Sequence, residues 1–232
     1  MRTTLRRAGI IALLLCTPAS IIGTSPALAA ERPTCNGQTA NIVGTQGKDS
    51  YAPSKFHDGD VVALLGGRDY AQVGGHTDNV TICGGRNDDE IVGDAGAGKN
   101  LRFFGDKGSD SLGSLFEQGK SASRHGYKLD GGPGRDYFDG SKRHDRVEGG
   151  AGPDVVRGYK VGDVVHGGRG EDLIEGGPGE DTLFGDQDDD ALYGFYYQTR
   201  TPNRERVDSV FGGPGRDICV AKHRHSCKKD RR

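Results

Sequence analysis

The chain has 232 residues, of which 40 are Gly and only 33% are hydrophobic, with no Trp and one Met. An ordinary layered domain buries more apolar side chains than this, so the composition leaves either disorder or a fold with a thin core. The formal net charge is −2, with 31 Lys and Arg against 33 Asp and Glu. Three Lys or Arg residues lie in the first 29 positions and six in the last eleven, which leaves a body with 22 basic and 32 acidic residues that is suited to binding cations.

The first 29 residues are typical of an export signal. Arg2, Arg6 and Arg7 precede the apolar run AGIIALLLC, and the small-residue sequence ALA ends at Ala29. The apolar run is too short to span a bilayer, so we expect no integral membrane anchor. The pair Arg6-Arg7 leaves the twin-arginine route and the general export route both open. We predict a secreted, extracellular protein whose fold begins near residue 30.

Four cysteines follow the predicted signal, at Cys35, Cys83, Cys219 and Cys227. An even number of cysteines in an exported chain predicts disulfide bonds. Cys219 and Cys227 are close in sequence and would staple the C-terminus, in which case Cys35 pairs with Cys83. This pairing is one of the three connectivities that four cysteines allow.

Residues 30–113 contain glycine and aspartate in a weak repeat. Two units are recognisable, GGRNDDEIV at 84–92 and GDKGSDSLG at 105–113. The aspartates keep an approximate period that insertions break, at Asp60, Asp69, Asp78, Asp89 and Asp110. We interpret this half as a degenerate continuation of the repeats below, with eroded binding sites. Residues 114–128 are then an insertion.

Residues 129–220 hold a nine-residue repeat, which is the strongest signal in the chain. Aspartate recurs in unbroken register at Asp136, Asp145, Asp154, Asp163, Asp172, Asp181 and Asp190. Glycine keeps the same period at Gly131, Gly140, Gly149, Gly158, Gly167, Gly176, Gly185 and Gly194. An apolar residue lies two positions after each of these aspartates and after Asp208 and Asp217, at Phe138, Val147, Val156, Val165, Ile174, Leu183, Leu192, Val210 and Cys219. Such a period predicts a solenoid.

The repeat predicts an all-β fold, a parallel β-roll or β-solenoid with eighteen residues per coil. Six glycine-rich residues make a turn and three make a short strand with one side chain inward. Two such units close one coil, and coils stack. Stacked turns bring carboxylates together, where they repel unless a cation lies between them. Carboxylate and carbonyl oxygens favour Ca²⁺ over Zn²⁺, and Mg²⁺ demands a stricter octahedral site.

These units resemble a known family. GGPGRDYFD, GGAGPDVVR, GGRGEDLIE and GGPGEDTLF are similar to the nonapeptide GGxGxDxUx of RTX, or haemolysin-type, calcium-binding repeats. The resemblance covers residues 131–193 and 212–220, and the opening CNGQTANIVGTQGKDS looks like secreted actinobacterial-type proteins that carry such repeats. It implies a parallel β-roll whose turns bind Ca²⁺ through the aspartate carboxylate and turn carbonyls. Many RTX proteins lack an N-terminal signal peptide, so the signal predicted here departs from that pattern.

The eighteen-residue coil sorts the turns onto two edges of the roll. Turns that begin at Gly131, Gly149, Gly167 and Gly185 share one edge, called edge 1, and end in Asp136, Asp154, Asp172 and Asp190. Turns that begin at Gly140, Gly158 and Gly176 share edge 2, where Lys142, Arg143 and Lys160 place positive charge in the turn. We predict Ca²⁺ between successive aspartates of edge 1. Edge 2 should bind more weakly, with the turn from Gly176 to Asp181 as its best candidate.

No catalysis is predicted, because the chain has neither an H-E-x-x-H nor a G-x-S-x-G motif and the repeats leave no room for a separate catalytic domain. Two alternatives stay open. In the first, the roll is the scaffold of a cell-surface adhesion or structural module, and loops 114–128 and 195–207 or the basic tail 221–232 bind a cell-wall or extracellular polymer. The second, ranked lower, is a secreted polysaccharide-active enzyme. No nucleic-acid partner is predicted.

Overall fold

The computed structural model of the chain describes residues 32–94, 97–115, 126–195, 208–221, 223–225 and 227. Met1–Glu31 and Arg32–Arg232 form two separate units, and the account below concerns the second. The predicted export signal lies outside the described residues, as do most of the basic tail and most of the two predicted loops.

The described chain is β-structure apart from one 3-10 turn at Pro53–Lys55. Its strands are β1 (Thr34–Cys35), β2 (Gln38–Thr39), β3 (Ile42–Val43), β4 (Ser50–Tyr51), β5 (Val61–Ala63), β6 (Tyr70–Val73), β7 (Thr81–Arg86), β8 (Glu90–Gly93), β9 (Leu101–Lys107), β10 (Ser111–Ser114), β11 (Tyr127–Pro133), β12 (Tyr137–Asp139), β13 (Arg146–Ala151), β14 (Val155–Arg157), β15 (Val164–Arg169), β16 (Leu173–Glu175), β17 (Thr182–Gln187), β18 (Ala191–Tyr193), β19 (Ser209–Phe211), β20 (Ile218–Val220) and β21 (His223–His225). No helix long and apolar enough to cross a membrane occurs in the described ranges.

Two parallel sheets enclose the core. Sheet 1 has ten strands, the odd-numbered ones from β3 to β21, and sheet 2 has nine, the even-numbered ones from β4 to β20. Each strand pairs with the strands one coil earlier and one coil later, so the order within each sheet follows the chain. Strands β1 and β2 form a separate antiparallel hairpin. This arrangement confirms the predicted all-β solenoid.

The turns from sheet 1 to sheet 2 form edge 1, and the returning turns form edge 2. Between Tyr127 and Tyr193 each coil has the predicted 18 residues. Coils nearer the N-terminus have 20, 21 or 26 residues, and the coil after Asp190 has 27. All the extra residues lie at edge 2, because each edge 1 aspartate follows the inward residue of the preceding sheet 1 strand by seven positions throughout, as Asp136 follows Leu129.

Strand pairing shows where the two predicted loops, 114–128 and 195–207, join the strands of the roll. Residues 195–207 belong to one coil of 27 residues, because β17 pairs directly with β19 and β18 with β20. Ser114 closes β10, and Tyr127 and Lys128 begin β11, so both ends of the predicted insertion 114–128 belong to strands. Residues 116–125 and 196–207 lie outside the described part of the chain.

In strands β12 to β20 the core is a ladder with one inward side chain per strand, as the repeat predicts. The inward residues of the predicted roll are all 0% exposed except Cys219, at 7%; they are Phe138, Val147, Val156, Val165, Ile174, Leu183, Leu192, Val210 and Cys219. The same ladder continues through the N-terminal coils with larger residues at Ile82, Ile91, Phe103, Leu112 and Leu129. Each coil therefore buries little apolar surface, and stability depends on stacking.

Two disulfides tie down the ends of the roll with the predicted pairing. Cys35 bonds Cys83 and fixes the hairpin β1–β2 over a second apolar cluster that includes Val61 and Phe104. Cys219 bonds Cys227, which packs against the last coil of the core. A cross-link between distant positions stabilises the fold mainly by restricting the unfolded chain.

Candidate metal centre

Edge 1 carries a continuous column of aspartates along the whole roll. Each aspartate ends a six-residue turn just before a sheet 2 strand, so one falls in every coil. Between each pair of successive coils, one carboxylate oxygen (Oδ1) of the later aspartate accepts the main-chain N–H of the aspartate one coil earlier, at 2.7 to 3.2 Å. The column is Asp49, Asp69, Asp89, Asp110, Asp136, Asp154, Asp172, Asp190 and Asp217.

The second carboxylate oxygen, Oδ2, is buried without a hydrogen-bond partner in nearly the whole column. The aspartates concerned are Asp69, Asp89, Asp110, Asp136, Asp154, Asp172, Asp190 and Asp217. These aspartates are buried beneath the turn, at most 4% exposed; Asp154, for example, is 1% exposed. A buried carboxylate oxygen without a donor is costly unless it is protonated or meets a cation.

Burial also raises the pKa values of several of these carboxyl groups. Burial raises the pKa of Asp154, Asp172 and Asp190 to about 7 each. The main-chain N–H from the preceding coil lowers the pKa, and the carboxylate of that coil raises it again. For Asp136 burial raises the pKa to about 6. Edge 1 therefore attracts positive charge at neutral pH.

The first glycine of each turn leaves a space that two oxygens line. A Cβ added at Gly149 would lie 2.7 Å from Asp154 Oδ2 and 2.3 Å from the carbonyl oxygen of Gly167, one coil later. The equivalent position at Gly131 lies 2.4 Å from Asp136 Oδ2 and 2.6 Å from the Gly149 carbonyl oxygen. Any larger residue would fill this cradle. The repeat therefore requires glycine here because carboxylate and carbonyl oxygens of adjacent coils converge.

The donor set of edge 1 fits a hard cation. In the described ranges no group of three or more His, Cys, Asp or Glu side chains is placed to hold a metal ion by itself, so a site at edge 1 needs main-chain oxygens as well. Each pair of stacked turns instead offers carboxylates and main-chain carbonyl oxygens, the ligands that Ca²⁺ takes with flexible geometry. Bound there, the ion would neutralise the Oδ2 atoms that lack hydrogen-bond donors.

Edge 2 carries a shorter aspartate column. Asp145, Asp163, Asp181 and Asp208 are joined by the same N–H to Oδ1 contacts, at 2.8 to 3.2 Å. In the three preceding coils, buried apolar residues occupy this register position at Val80, Leu101 and Tyr127. Edge 2 therefore lacks the carboxylates of a full column.

The turn that ends in Asp145 satisfies its own carboxylate. Oδ2 of Asp145 accepts the N–H of Ser141, while Oδ1 accepts the Tyr127 N–H at 2.6 Å and the Ser141 hydroxyl at 3.0 Å. By contrast, Oδ2 of Asp163 is buried without a partner, and burial followed by the charge of Asp145 raises its pKa to about 9. On edge 2 the two adjacent turns thus differ, because hydrogen bonds satisfy both carboxylate oxygens of Asp145 but only one of Asp163.

The structure brings together most of the residues that the sequence indicated. Asp136, Asp154, Asp172 and Asp190 are consecutive members of the edge 1 column, with Gly131, Gly149, Gly167 and Gly185 opening their turns. Asp181 and Gly176 lie on edge 2, as expected, with Asp181 bonded to Asp163 and Asp208. The sequence did not indicate Asp163 or Asp217 as site residues, although a glycine five positions earlier marks each of them.

The fold and the stacked acidic turns define a β-roll with a hard-cation edge. Comparison with protein families agrees, because residues 130–160 and 161–194 match the family model of the RTX calcium-binding nonapeptide repeat (4 copies). These residues are RTX calcium-binding repeats, as their resemblance indicated. A search of curated proteins finds no match to the chain.

Proposed function

We propose that the protein is a secreted calcium-binding β-roll in which Ca²⁺ lies between stacked turns of edge 1 and couples binding to folding. The observation that carries this proposal is the column of buried Oδ2 atoms without hydrogen-bond donors, repeated at each coil from Asp136 to Asp190. The ligands would be the carboxylates of Asp136, Asp154, Asp172 and Asp190 with carbonyl oxygens of the same turns.

Coupling to folding follows from the difference between the folded and unfolded chain. In the unfolded chain the aspartates are hydrated and far apart, whereas the roll buries them in adjacent coils. Without metal, this burial opposes a core that gains only one side chain from each of the strands β12 to β20. Calcium that binds the folded state alone adds its binding free energy to folding.

Binding is one-sided in this proposal. The Ser141 N–H and hydroxyl already satisfy Asp145, so the turn 140–145 needs no ion. The positive charges of Lys142 and Arg143 in the same turn oppose cation binding. On edge 2 the step from Asp163 to Asp181 is a secondary candidate, because Asp163 has the same buried Oδ2.

Secretion is part of the proposal and has separate support. The described residues contain two disulfides, which persist in oxidising compartments. Calcium is also plentiful outside cells, so folding of the roll would follow export. Cleavage after Ala29, read by N-terminal sequencing of protein recovered from culture medium, tests this part.

Calorimetric titration of Ca²⁺ into wild-type protein, Asp154→Asn and Asp145→Asn tests the binding edge. Asp154→Asn should lose bound calcium, because Asp154 faces the turns both before and after it. Asp145→Asn should bind as many ions as wild type. Equal losses in the two variants would contradict one-sided binding, and no binding by wild type would contradict the proposal itself.

A further inference from the structure

The aspartate column of edge 1 extends beyond the residues that match the repeat family. Asp89 and Asp110 precede residue 130, where the match begins, yet they continue the column that contains Asp136. We propose that the turns 84–89 and 105–110 bind two further calcium ions, one between these two turns and one between the turns 105–110 and 131–136. This inference rests on the proposed function, and it replaces the expectation of eroded sites in this half.

The carboxylates of both turns are buried and lack a donor at one oxygen. Asp89 is 3% exposed and Asp110 is 2% exposed, and Oδ2 of each has no hydrogen-bond partner. Their Oδ1 atoms accept the N–H of the preceding aspartate at 2.8 and 2.7 Å. An acidic cluster at the surface would be satisfied by water, but these oxygens face the interior of the turn.

The oxygen-lined space matches that of the recognised repeats. A Cβ at Gly84 would lie 2.3 Å from Asp89 Oδ2 and 2.8 Å from the Gly105 carbonyl oxygen. At Gly105 the corresponding distances are 2.3 Å to Asp110 Oδ2 and 2.6 Å to the Gly131 carbonyl oxygen. The values at Gly131 itself, 2.4 and 2.6 Å, are nearly the same. The donor arrangement therefore continues across the boundary of the family match.

The turns keep the repeat backbone although their sequences depart from the motif. Asn87 and Asp106 occupy positions where the motif has glycine, and both adopt positive φ, at 74° and 67°. Within the matched repeats, Asp186 and Asp188 do the same at 71° and 79°. Asn and Asp tolerate this region because their short side chains bond locally. Each turn therefore departs from the motif at one glycine position but keeps a positive φ there.

Towards the N-terminus, the proposed sites end at the turn 84–89. In the preceding turn, 64–69, Leu64 occupies the position of the first glycine, and its side chain is fully buried in the core. The cradle is therefore absent from that turn, and we assign no ion to it even though Asp69 belongs to the column.

Calcium stoichiometry of the full chain tests the inference. Equilibrium dialysis should show that Asp89→Asn binds one ion fewer than wild type and that Asp110→Asn, which faces both proposed sites, binds up to two fewer. Asn keeps the Oδ1 acceptor of the column, so the stacking contact remains. Asp78→Asn is the matched control, because Asp78 lies on edge 2 of the same coils and pairs with Lys99. Its stoichiometry should equal that of wild type.

Asp154→Asn separates this inference from the proposed function. If Asp154→Asn loses calcium while Asp89→Asn and Asp110→Asn bind the wild-type number, the N-terminal sites are refuted and the proposed function stands. If none of the three loses calcium, both are refuted. Hydrogen exchange of wild-type protein gives a readout that needs no variant. Calcium should protect β8 (Glu90–Gly93) and β10 (Ser111–Ser114), and protection confined to residues 130–194 would overturn the inference.

Discussion

Replacing Asp154 by Asn should change stability in opposite directions with and without calcium. The Asn side chain keeps an oxygen to accept the Asp136 N–H, whose bond to Oδ1 is 2.7 Å long. It also replaces the Oδ2 atom that has no donor by an NH₂ group, beside a space that the Gly167 carbonyl oxygen lines. In chelator the substitution therefore removes a buried charge and introduces a donor where an acceptor is available.

The two stability changes are calculated from the raised pKa of Asp154 and from the number of calcium sites lost. Burial raises the pKa of Asp154 from 3.8 to about 7, which corresponds to roughly 4 kcal/mol at about 1.36 kcal/mol per pH unit. The turn lies near the surface, where water screens charge, so we take about half, or about 2 kcal/mol gained in chelator. In calcium at about 100 times its Kd, each lost site costs about 2.7 kcal/mol. With one or two sites lost, the net loss in calcium is about 1 to 3 kcal/mol.

Urea unfolding at pH 7.5, in chelator and in excess calcium, measures both effects. Asp145→Asn is the control, because Ser141 and Tyr127 already donate N–H groups to both carboxylate oxygens of Asp145. Its effect on stability should be the same in the two buffers. A change of the same sign for Asp154→Asn in chelator and in calcium would refute the reasoning.

Three further predictions follow. In metal-free buffer the roll should gain stability as pH falls from 7.5 to 5, because burial raises the pKa of six column carboxyls from 3.8 to between about 6 and 8: Asp89, Asp110, Asp136, Asp154, Asp172 and Asp190. The stabilisation that their protonation gives is complete below about pH 4 and is lost as pH rises through the raised pKa values. Circular dichroism showing the opposite trend would contradict this prediction. Gly149→Ala should destabilise by about 2 kcal/mol, because its Cβ would approach the Gly167 carbonyl to 2.3 Å, whereas Gly47→Ala, with only Thr45 Oγ1 at 3.9 Å, should leave the melting temperature nearly unchanged. Val161→Gly should stabilise the fold by about 1 kcal/mol, because Val161 has φ 74° and a β-branched residue is strained there. The control Val164→Gly, in strand β15, should destabilise it. A change of the same sign for both variants in thermal melts would exclude backbone strain as the cause.

The nine-residue period predicted the inward ladder because one side chain per short strand is all that such a coil can bury. Phe138 and Leu192 follow directly from their spacing to aspartate, and both are fully buried. The assignment of turns to two edges also follows from the period, since two units close a coil. The disulfide pairing could be favoured from sequence separation, but only the stacking of β1 against β7 decides it.

The sequence predicts the N-terminal coils as a continuation of the repeats but not their lengths, because their irregularity lies at edge 2 alone. Coils of 20, 21 and 26 residues break the period along the chain while leaving the edge 1 turns in register. Positive φ at Asn87 and Asp106 preserves the turn without glycine. Likewise, only the structure distinguishes Asp145 from Asp163. Ser141 donates to the carboxylate of Asp145, whereas Oδ2 of Asp163 has no hydrogen-bond partner.

Far-UV circular dichroism of the protein during a calcium titration, with Mg²⁺ as control, tests the central claim most directly. We expect a cooperative rise of β-sheet signal that Ca²⁺ produces and Mg²⁺ does not, because the buried carboxylates of edge 1 oppose folding until a cation neutralises them. A complete β-sheet signal in chelator at pH 7.5, unchanged by calcium, would mean that the apolar ladder and the disulfides suffice. That result would contradict the coupling of calcium binding to folding.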